Sequence, residues 1–115
     1  MRYTGSCHCG HVAFEAEGEI TGLLECNCSI CRRKGALMWF VPRSAFRLLT
    51  PEENAATYTF ASGRIHHRFC PRCGIQPYGE GDDPTHGPMV AINARCLDNV
   101  DLAALPVRHF DGASL

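Results

Sequence analysis

The spacing of the eight cysteines constrains the fold of this sequence more than any other feature. A chain of 115 residues buries only about two-thirds of the surface its unfolded form exposes, so a covalent or metal cross-link adds needed stability. Seven cysteines stand in short groups and one stands alone. They are the pair Cys7/Cys9, the triplet Cys26/Cys28/Cys31, the pair Cys70/Cys73 and the single Cys96.

The cellular compartment decides between metal ligands and disulfides. The first residues, MRYTGSCHCG, contain no apolar run before a small-residue cleavage site, so they do not predict a signal peptide. No apolar run reaches the ~18 residues of a membrane span. We therefore expect a cytoplasmic protein with no membrane association, in which thiols stay reduced. Short-spaced cysteine pairs then favour metal binding over disulfides.

The two outer pairs are predicted to share one ion. In FCPRCG, Pro71 stiffens the turn, and Gly74 permits a left-handed exit that aims backbone amides at sulfur. Two short pairs far apart in sequence indicate a closed four-thiolate structural zinc site. A redox dithiol is the alternative, disfavoured because the first pair also needs a partner. The predicted structural ligands are Cys7, Cys9, Cys70 and Cys73.

The triplet predicts a different kind of site. Cys26, Cys28 and Cys31 can cap one face of a zinc ion and leave its fourth position to water, substrate or a distant residue. Three protein ligands and an open position are typical of catalytic zinc. One alternative is that Cys96 fills that position and makes a second structural site. Another is that Cys96 is a buried thiol that packs as a small apolar side chain.

The charged residues give a weaker indication. A net charge of −1 gives no reason to expect nucleic-acid binding. Three basic residues, Arg32, Arg33 and Lys34, directly follow the triplet and are candidates for contacting substrate carboxylates. The alternative is that they form an ordinary solvated rim.

Short apolar or alternating segments separated by glycine and proline predict a mainly β fold. We expect one compact, zinc-stabilised domain over residues 1–115, built from short antiparallel strands. A single helical turn is expected in SICRRKG, with Ser29 as its possible cap and Gly35 as its end, and a loop is expected over residues 79–88. The predicted strands lie within residues 11–18, 20–27, 36–42, 45–49, 56–62, 65–70 and 88–96.

Three further side chains can be assigned from the strand pattern. His66 and His67 lie next to each other on one predicted strand and therefore face opposite sides. A surface position is expected for each of them. Trp39, in a continuous apolar run, is expected in the core rather than in a ligand platform.

Four stretches also carry a resemblance. GSCHCGHVAFE, CNCSICRRKG, FCPRCGIQPY and INARCLD follow in this order over almost the whole chain. They resemble the glutathione-dependent formaldehyde-activating enzyme family, which includes the centromere protein V relatives. The resemblance implies a β fold like that of small zinc proteins related to Rab guanine-nucleotide exchange factors.

The resemblance also implies roles for the cysteines. It assigns a structural zinc to the two outer pairs and a second, labile zinc, associated with the reaction, to the triplet. The activity it implies is a carbon–sulfur lyase reaction of the S-hydroxymethylglutathione synthase type, in which glutathione or a related small thiol adds to formaldehyde or another small aldehyde. The catalytic group would then be Cys26, Cys28 and Cys31. The competing interpretation is a non-enzymatic zinc module with a structural or protein-binding role.

Overall fold

The computed structural model describes all 115 residues, and most of its regular structure is β-strand. The single α-helix, α1, spans Ser29–Lys34 and ends at Gly35, as the sequence predicts. The ten strands are β1 (Arg2–Ser6), β2 (Ala13–Glu17), β3 (Leu23–Cys26), β4 (Met38–Pro42), β5 (Phe46–Leu48), β6 (Ala56–Tyr58), β7 (His66–Phe69), β8 (Tyr78–Asp83), β9 (Gly87–Asn93) and β10 (Val107–Phe110). Short 3-10 turns occupy Arg43–Ala45, Glu52–Asn54, Ala94–Cys96, Leu102–Ala104 and Gly112–Ser114.

The strands form two sheets. A three-stranded sheet has the order β1-β2-β5, and a seven-stranded sheet has the order β10-β3-β4-β9-β8-β7-β6. Every strand pair is antiparallel except β10 with β3, which run parallel. The prediction of a mainly β fold of short antiparallel strands is confirmed, and the parallel pair at one edge is the exception. None of the helices is long and apolar enough to cross a membrane.

The alternation of apolar and polar residues in β2 places Phe14 between the sheets. Its ring stacks on Phe46 of the small sheet at 5.3 Å between centroids, and lies 6.5 Å from Tyr78 of the large sheet. Phe14 is fully buried. Trp39 is also buried, as predicted, whereas its neighbour Phe40 remains 46% exposed.

Buried side chains form two separate clusters. The larger contains fifteen residues from both sheets and includes Cys7 and Cys70. The smaller contains four residues and includes Cys26 and Cys31, together with Ala36 and Met38. The two cysteine groups therefore lie in different parts of the core.

The expectation of a loop over residues 79–88 is wrong for its first half. Tyr78–Asp83 is a strand that pairs with β7 on one side and β9 on the other. A Cβ on Gly79 or Gly81 would make only ordinary contacts, 3.5 Å from the His66 and Arg64 carbonyls, so the pairing does not depend on glycine there. Pairing on both sides overrides the low strand propensity of this glycine- and aspartate-rich segment.

The strand at residues 66–69 corrects a second expectation. His66 and His67 do face opposite sides, but only His66 is exposed; His67 is buried. The His67 ring stacks on Phe60 at 5.5 Å between centroids. Burial, assisted by the positive charge of Lys34, lowers the pKa of His67 below its ordinary value.

Candidate metal centres

The first candidate centre joins the two outer cysteine pairs. Cys7 follows β1, and Cys70 follows β7, so the two strand ends bring together segments that are distant in sequence. The sulfur of Cys9 lies 3.8 Å from that of Cys7 and 3.6 Å from that of Cys70. All four sulfurs, including that of Cys73, lie within 4.8 Å of one another.

These distances fit a tetrahedral ion. Four sulfurs held about 2.3 Å from one zinc ion at tetrahedral angles lie about 3.8 Å apart. The donor set consists only of thiols, which favours zinc over calcium or magnesium. The four-cysteine group could therefore hold a metal ion, and its geometry is consistent with zinc.

Backbone amides surround the sulfurs of the late pair. The N–H groups of Arg72 and Cys73 donate to the Cys70 sulfur at 3.3 and 3.4 Å. Gly74 has φ +80° and donates its N–H to the Cys70 carbonyl at 2.8 Å. The backbone N–H of Ile75 is the main reason that the pKa of Cys73 falls to about 6. Such amides stabilise the thiolate form that a metal requires.

The second candidate centre is the triplet, here called the three-cysteine cup (Cys26, Cys28 and Cys31). Cys26 ends β3, Cys28 is the residue before α1, and Cys31 lies in the helix, so one strand–helix junction positions all three. Their sulfurs lie within 4.8 Å of one another, and no histidine, carboxylate or fourth cysteine joins them. The cup could hold a metal ion through three protein ligands.

The helix gives the cup its shape. Gly35 has φ +65° and donates its N–H to the Cys31 carbonyl at 2.9 Å, which ends α1 one turn after the last cysteine. The N–H of Cys28 donates to the Cys26 sulfur at 3.4 Å. Ser29 was expected as the possible cap, but it is the first helical residue, and Cys28 occupies the capping position without a side-chain cap bond.

The thiols of the cup hold their protons unequally. Burial is the main cause that raises the pKa of Cys31 to about 12. Burial acts in the same direction on Cys28, but hydrogen bonds from the Cys31 and Ile30 N–H groups and from neighbouring thiols lower its pKa below the ordinary value. Metal binding must therefore displace a firmly held proton from Cys31.

Cys96 does not complete the cup. It packs against the larger core cluster, which contains Cys7 and excludes the cup. Burial raises the pKa of Cys96 to about 11, and the neighbouring Cys7 and Cys73 add to that effect. The interpretation of Cys96 as a half-buried apolar filler agrees with this position, whereas that of a fourth ligand for the cup does not.

The three basic residues after the cup lie on two sides of α1. Arg32 lines a cavity of about 480 Å³ that also contains Cys26 and Cys31. Arg33 and Lys34 line a second cavity, of about 580 Å³, together with Tyr58 and Phe60. The predicted substrate contacts are therefore divided, and only Arg32 shares a cavity with the cup.

No sequence pattern indicated a role for Asn27. Its side chain donates to an Asp111 carboxylate oxygen at 3.0 Å and accepts from the Ala113 N–H at 2.9 Å. These bonds bring the chain after β10 onto the cup. The Asp-Gly pair at residues 111–112 signals a turn, but sequence alone cannot say against which surface that turn lies.

Comparison with known proteins identifies the family. The family model described as "Glutathione-dependent formaldehyde-activating enzyme" matches residues 2–110. The chain belongs to this family. It is also similar to a Rhodobacter sphaeroides protein of known crystal structure, with 30% identity and a TM-score of 0.78, over 91% of this chain and 99% of that one. The resemblance inferred from the four sequence stretches is thus confirmed, and the family name points to glutathione-dependent formaldehyde activation in general.

Proposed function

We propose that this chain is a zinc-dependent carbon–sulfur lyase of the S-hydroxymethylglutathione synthase type, with the three-cysteine cup as its active site. The observation that carries the proposal is a set of three sulfurs within 4.8 Å of one another with no fourth protein ligand. Two of the three cysteines, Cys26 and Cys31, line a cavity of about 480 Å³, large enough to admit a small substrate. An open position beside a cavity is what catalysis at a metal requires.

In this proposal, Cys26, Cys28 and Cys31 act together as the metal-holding part of the active site. A zinc ion held there would supply a positive charge that lowers the pKa of a substrate thiol and keeps the thiolate available near neutral pH. The sulfur forms a bond to the aldehyde carbon, the carbonyl π bond breaks, and the thiol proton ends on the new hydroxyl oxygen. The reverse reaction breaks the same carbon–sulfur bond.

Arg32 is the proposed contact for a carboxylate of the thiol substrate. It has no acidic partner, whereas Glu25 and His109, which line the same cavity, already contact each other at 2.8 Å. A free guanidinium beside the cup can form charge-assisted hydrogen bonds with a carboxylate. Arg33 and Lys34 face the other cavity, so we assign them a weaker, longer-range role.

The four-cysteine group is proposed to hold the structural zinc. A closed set of four sulfurs leaves no position for substrate, so its contribution is to folding. We also keep the expectations of one domain over residues 1–115 and of a reducing, cytoplasmic location, because thiol ligands need their reduced form.

The test is the exchange between thiol, formaldehyde and adduct. Nuclear magnetic resonance exchange spectroscopy with ¹³C-formaldehyde measures the interconversion rate with and without protein, while zinc content is measured on the same sample. We expect acceleration by the two-zinc protein, and its loss when one zinc ion is removed while the fold persists. Cys96→Ser is the matched control and keeps the acceleration.

A different result would favour the binding-module interpretation. If the fully loaded protein fails to accelerate exchange with glutathione and with smaller thiols alike, the lyase proposal is wrong. Loss of both zinc ions at one chelator concentration, together with unfolding, would then indicate two structural sites.

A further inference from the structure

The last residues of the chain return to the three-cysteine cup. We call residues 107–114 the strap. Its strand β10 pairs in parallel with β3, with Phe110 opposite Cys26. The Phe110 carbonyl then accepts the N–H of Asn27 at 3.2 Å. The strap is therefore aligned with the strand that delivers the first cysteine of the cup.

Asn27 is the main side-chain link between the strap and the cup. It lies between Cys26 and Cys28 and uses both ends of its amide: Nδ2 donates to Asp111 at 3.0 Å, and Oδ1 accepts from the Ala113 N–H at 2.9 Å. The other oxygen of Asp111 accepts from the Ser114 hydroxyl at 2.6 Å, which closes the turn. Asn27 thus bonds to residues on both sides of the turn, Asp111 and Ala113.

Gly112 lies directly against Cys26 and Cys28. A Cβ at this position would be 2.5 Å from the Cys26 sulfur and 3.3 Å from the Cys28 Cβ. No real Cβ approaches sulfur so closely, so glycine is needed for the strap to lie where it does. The strap forms one wall of the cavity beside the cup, through His109, Phe110 and Asp111.

The strap is weakly anchored compared with the core. All four residues of β10 are exposed, and the strand lies at the edge of the large sheet. Segments with few buried contacts open at a lower free energy than the core does. The strap can therefore detach from the edge of the large sheet while the remaining strands stay paired.

We propose that Asn27 is a positioning residue that holds the strap over the cup, and that the strap selects by size the thiols that reach it. This inference rests on the proposed function in treating the cup as the reacting site. Small reagents pass through the cavity while the strap is in place, and bulky ones wait for it to open. Selectivity is then set by Asn27 and Gly112, neither of which is placed as a metal ligand.

The test exchanges the polar partners of Asn27. Asn27→Asp retains the acceptor for Ala113 but places a carboxylate against Asp111, so the strap should detach. Adding Asp111→Asn restores a donor–acceptor pair. The zinc-loaded proteins are treated with iodoacetamide, which is small, and with fluorescein maleimide, which is bulky. Mass spectrometry then gives the modification rate of Cys26 for each reagent.

We expect Asn27→Asp to raise the rate ratio of bulky to small reagent by about tenfold, since a hydrogen bond to a charged group is lost. The double variant should return the ratio to within about twofold of the parent's. Gly112→Ala should act like Asn27→Asp. Gly22→Ala, whose added Cβ makes ordinary contacts of 3.4 and 3.5 Å with Pro106 at the base of the strap, is the matched control and should leave the ratio unchanged.

The inference is overturned if Asn27→Asp leaves the ratio at the parental value, or if Asp111→Asn fails to reverse the change. If Gly112→Ala does not fold, the charge exchange at Asn27 decides alone. The alkylation rates do not depend on catalysis, so they separate this inference from the proposed function. A ratio that changes as expected in a protein that does not accelerate thiol–aldehyde exchange would support the strap and refute the lyase proposal.

Discussion

The four-cysteine group takes its sulfurs from two loops, with Cys9 and Cys70 separated by 61 residues, whereas the three-cysteine cup takes all of its sulfurs from Cys26 to Cys31. Cys7 and Cys70 of the first group belong to the fifteen-residue core cluster, and Cys26 and Cys31 of the cup belong to a cluster of four. An ion in the first group would close a long loop of the chain, and an ion in the cup would close only a short one.

The same kind of ligand, a cysteine thiolate, can therefore serve either a structural or a catalytic metal site, depending on the length of chain that the metal closes. Closing a long loop removes more conformational entropy from the unfolded chain, so a metal there stabilises the fold more. A metal held by one short segment changes the fold little, which frees that site for exchange and for substrate. The surroundings agree: backbone amides enclose Cys70, while a cavity and a weakly held strap border the cup.

The largest expected effect is at the four-cysteine group. Cys73→Ser should remove a ligand whose metal binding is coupled to folding, at a cost of several kcal/mol, and leave little folded protein. Circular dichroism and zinc content of the purified variant measure this. The matched Cys96→Ser should lose only about 1 kcal/mol, as for a half-buried thiol outside both groups. If the Cys73→Ser protein melts like the parent and keeps its full zinc content, the structural role of the four-cysteine group is wrong.

Next in size is the loss of activity at the cup. Cys28→Ser should abolish acceleration of thiol–aldehyde exchange and release one zinc ion, because two sulfurs make a poor metal site. The fold should persist, since the ligands close only a short loop. Thermal melting and metal analysis of the same sample check both statements. Unfolding of Cys28→Ser would show that the cup is as structural as the other group.

A smaller effect is expected from the basic residues. Arg32→Ala should raise the KM for a carboxylate-bearing thiol by about tenfold, because a charge-assisted hydrogen bond is lost. Lys34→Ala, which faces the other cavity, should change it by about twofold or less. Steady-state kinetics with glutathione measures these changes in KM. The control substrate is 2-mercaptoethanol, which has no carboxylate. If Arg32→Ala and Lys34→Ala change the KM equally, the placement of these side chains on two sides of α1 does not decide substrate contact.

The smallest expected effect is a pH dependence of the stability of the fold, which arises from His67 rather than from either cysteine group. The pKa of His67 is lowered by burial, so the unfolded chain takes up this proton near pH 6.5 and the folded chain only at lower pH. Stability from neutral His67 is complete above about pH 6.5 and declines as the pH falls from there to the folded-state pKa. Urea unfolding of His67→Gln should show a shallower decline over this range, while His66→Gln, on the exposed side, should keep the parental slope.

Several features were predictable because they depend on neighbours in sequence. The alternation in β2, the helical turn ended by Gly35 and the knuckle turn at Cys70 follow from side-chain period, glycine conformation and spacing. The grouping of the cysteines was predictable for the same reason, since ligands one to three residues apart meet in any tight turn. No metal identity or catalytic role follows from that grouping alone.

Other features depend on partners that sequence does not name. The strand at Tyr78–Asp83 forms because two neighbours pair with it, against its own composition. His67 of β7 is buried because β6 pairs beside it and the Phe60 ring stacks on it. β1 had no recognised signal, and it pairs with β2 across the turn that carries Cys7 and Cys9.

Short spacing fixes the geometry of neighbouring thiols locally, so the order of residues alone indicates which thiols can share an ion. What lies over each cysteine group depends on contacts between distant parts of the chain. The strap reaches the cup because β10 pairs with β3. These two segments are far apart in sequence: Asn27 and Ala113, which share a hydrogen bond, are separated by 86 residues. That pairing depends on the path of the whole intervening chain. The same path sends Arg32 to one cavity and Lys34 to another, although a helix of six residues holds both.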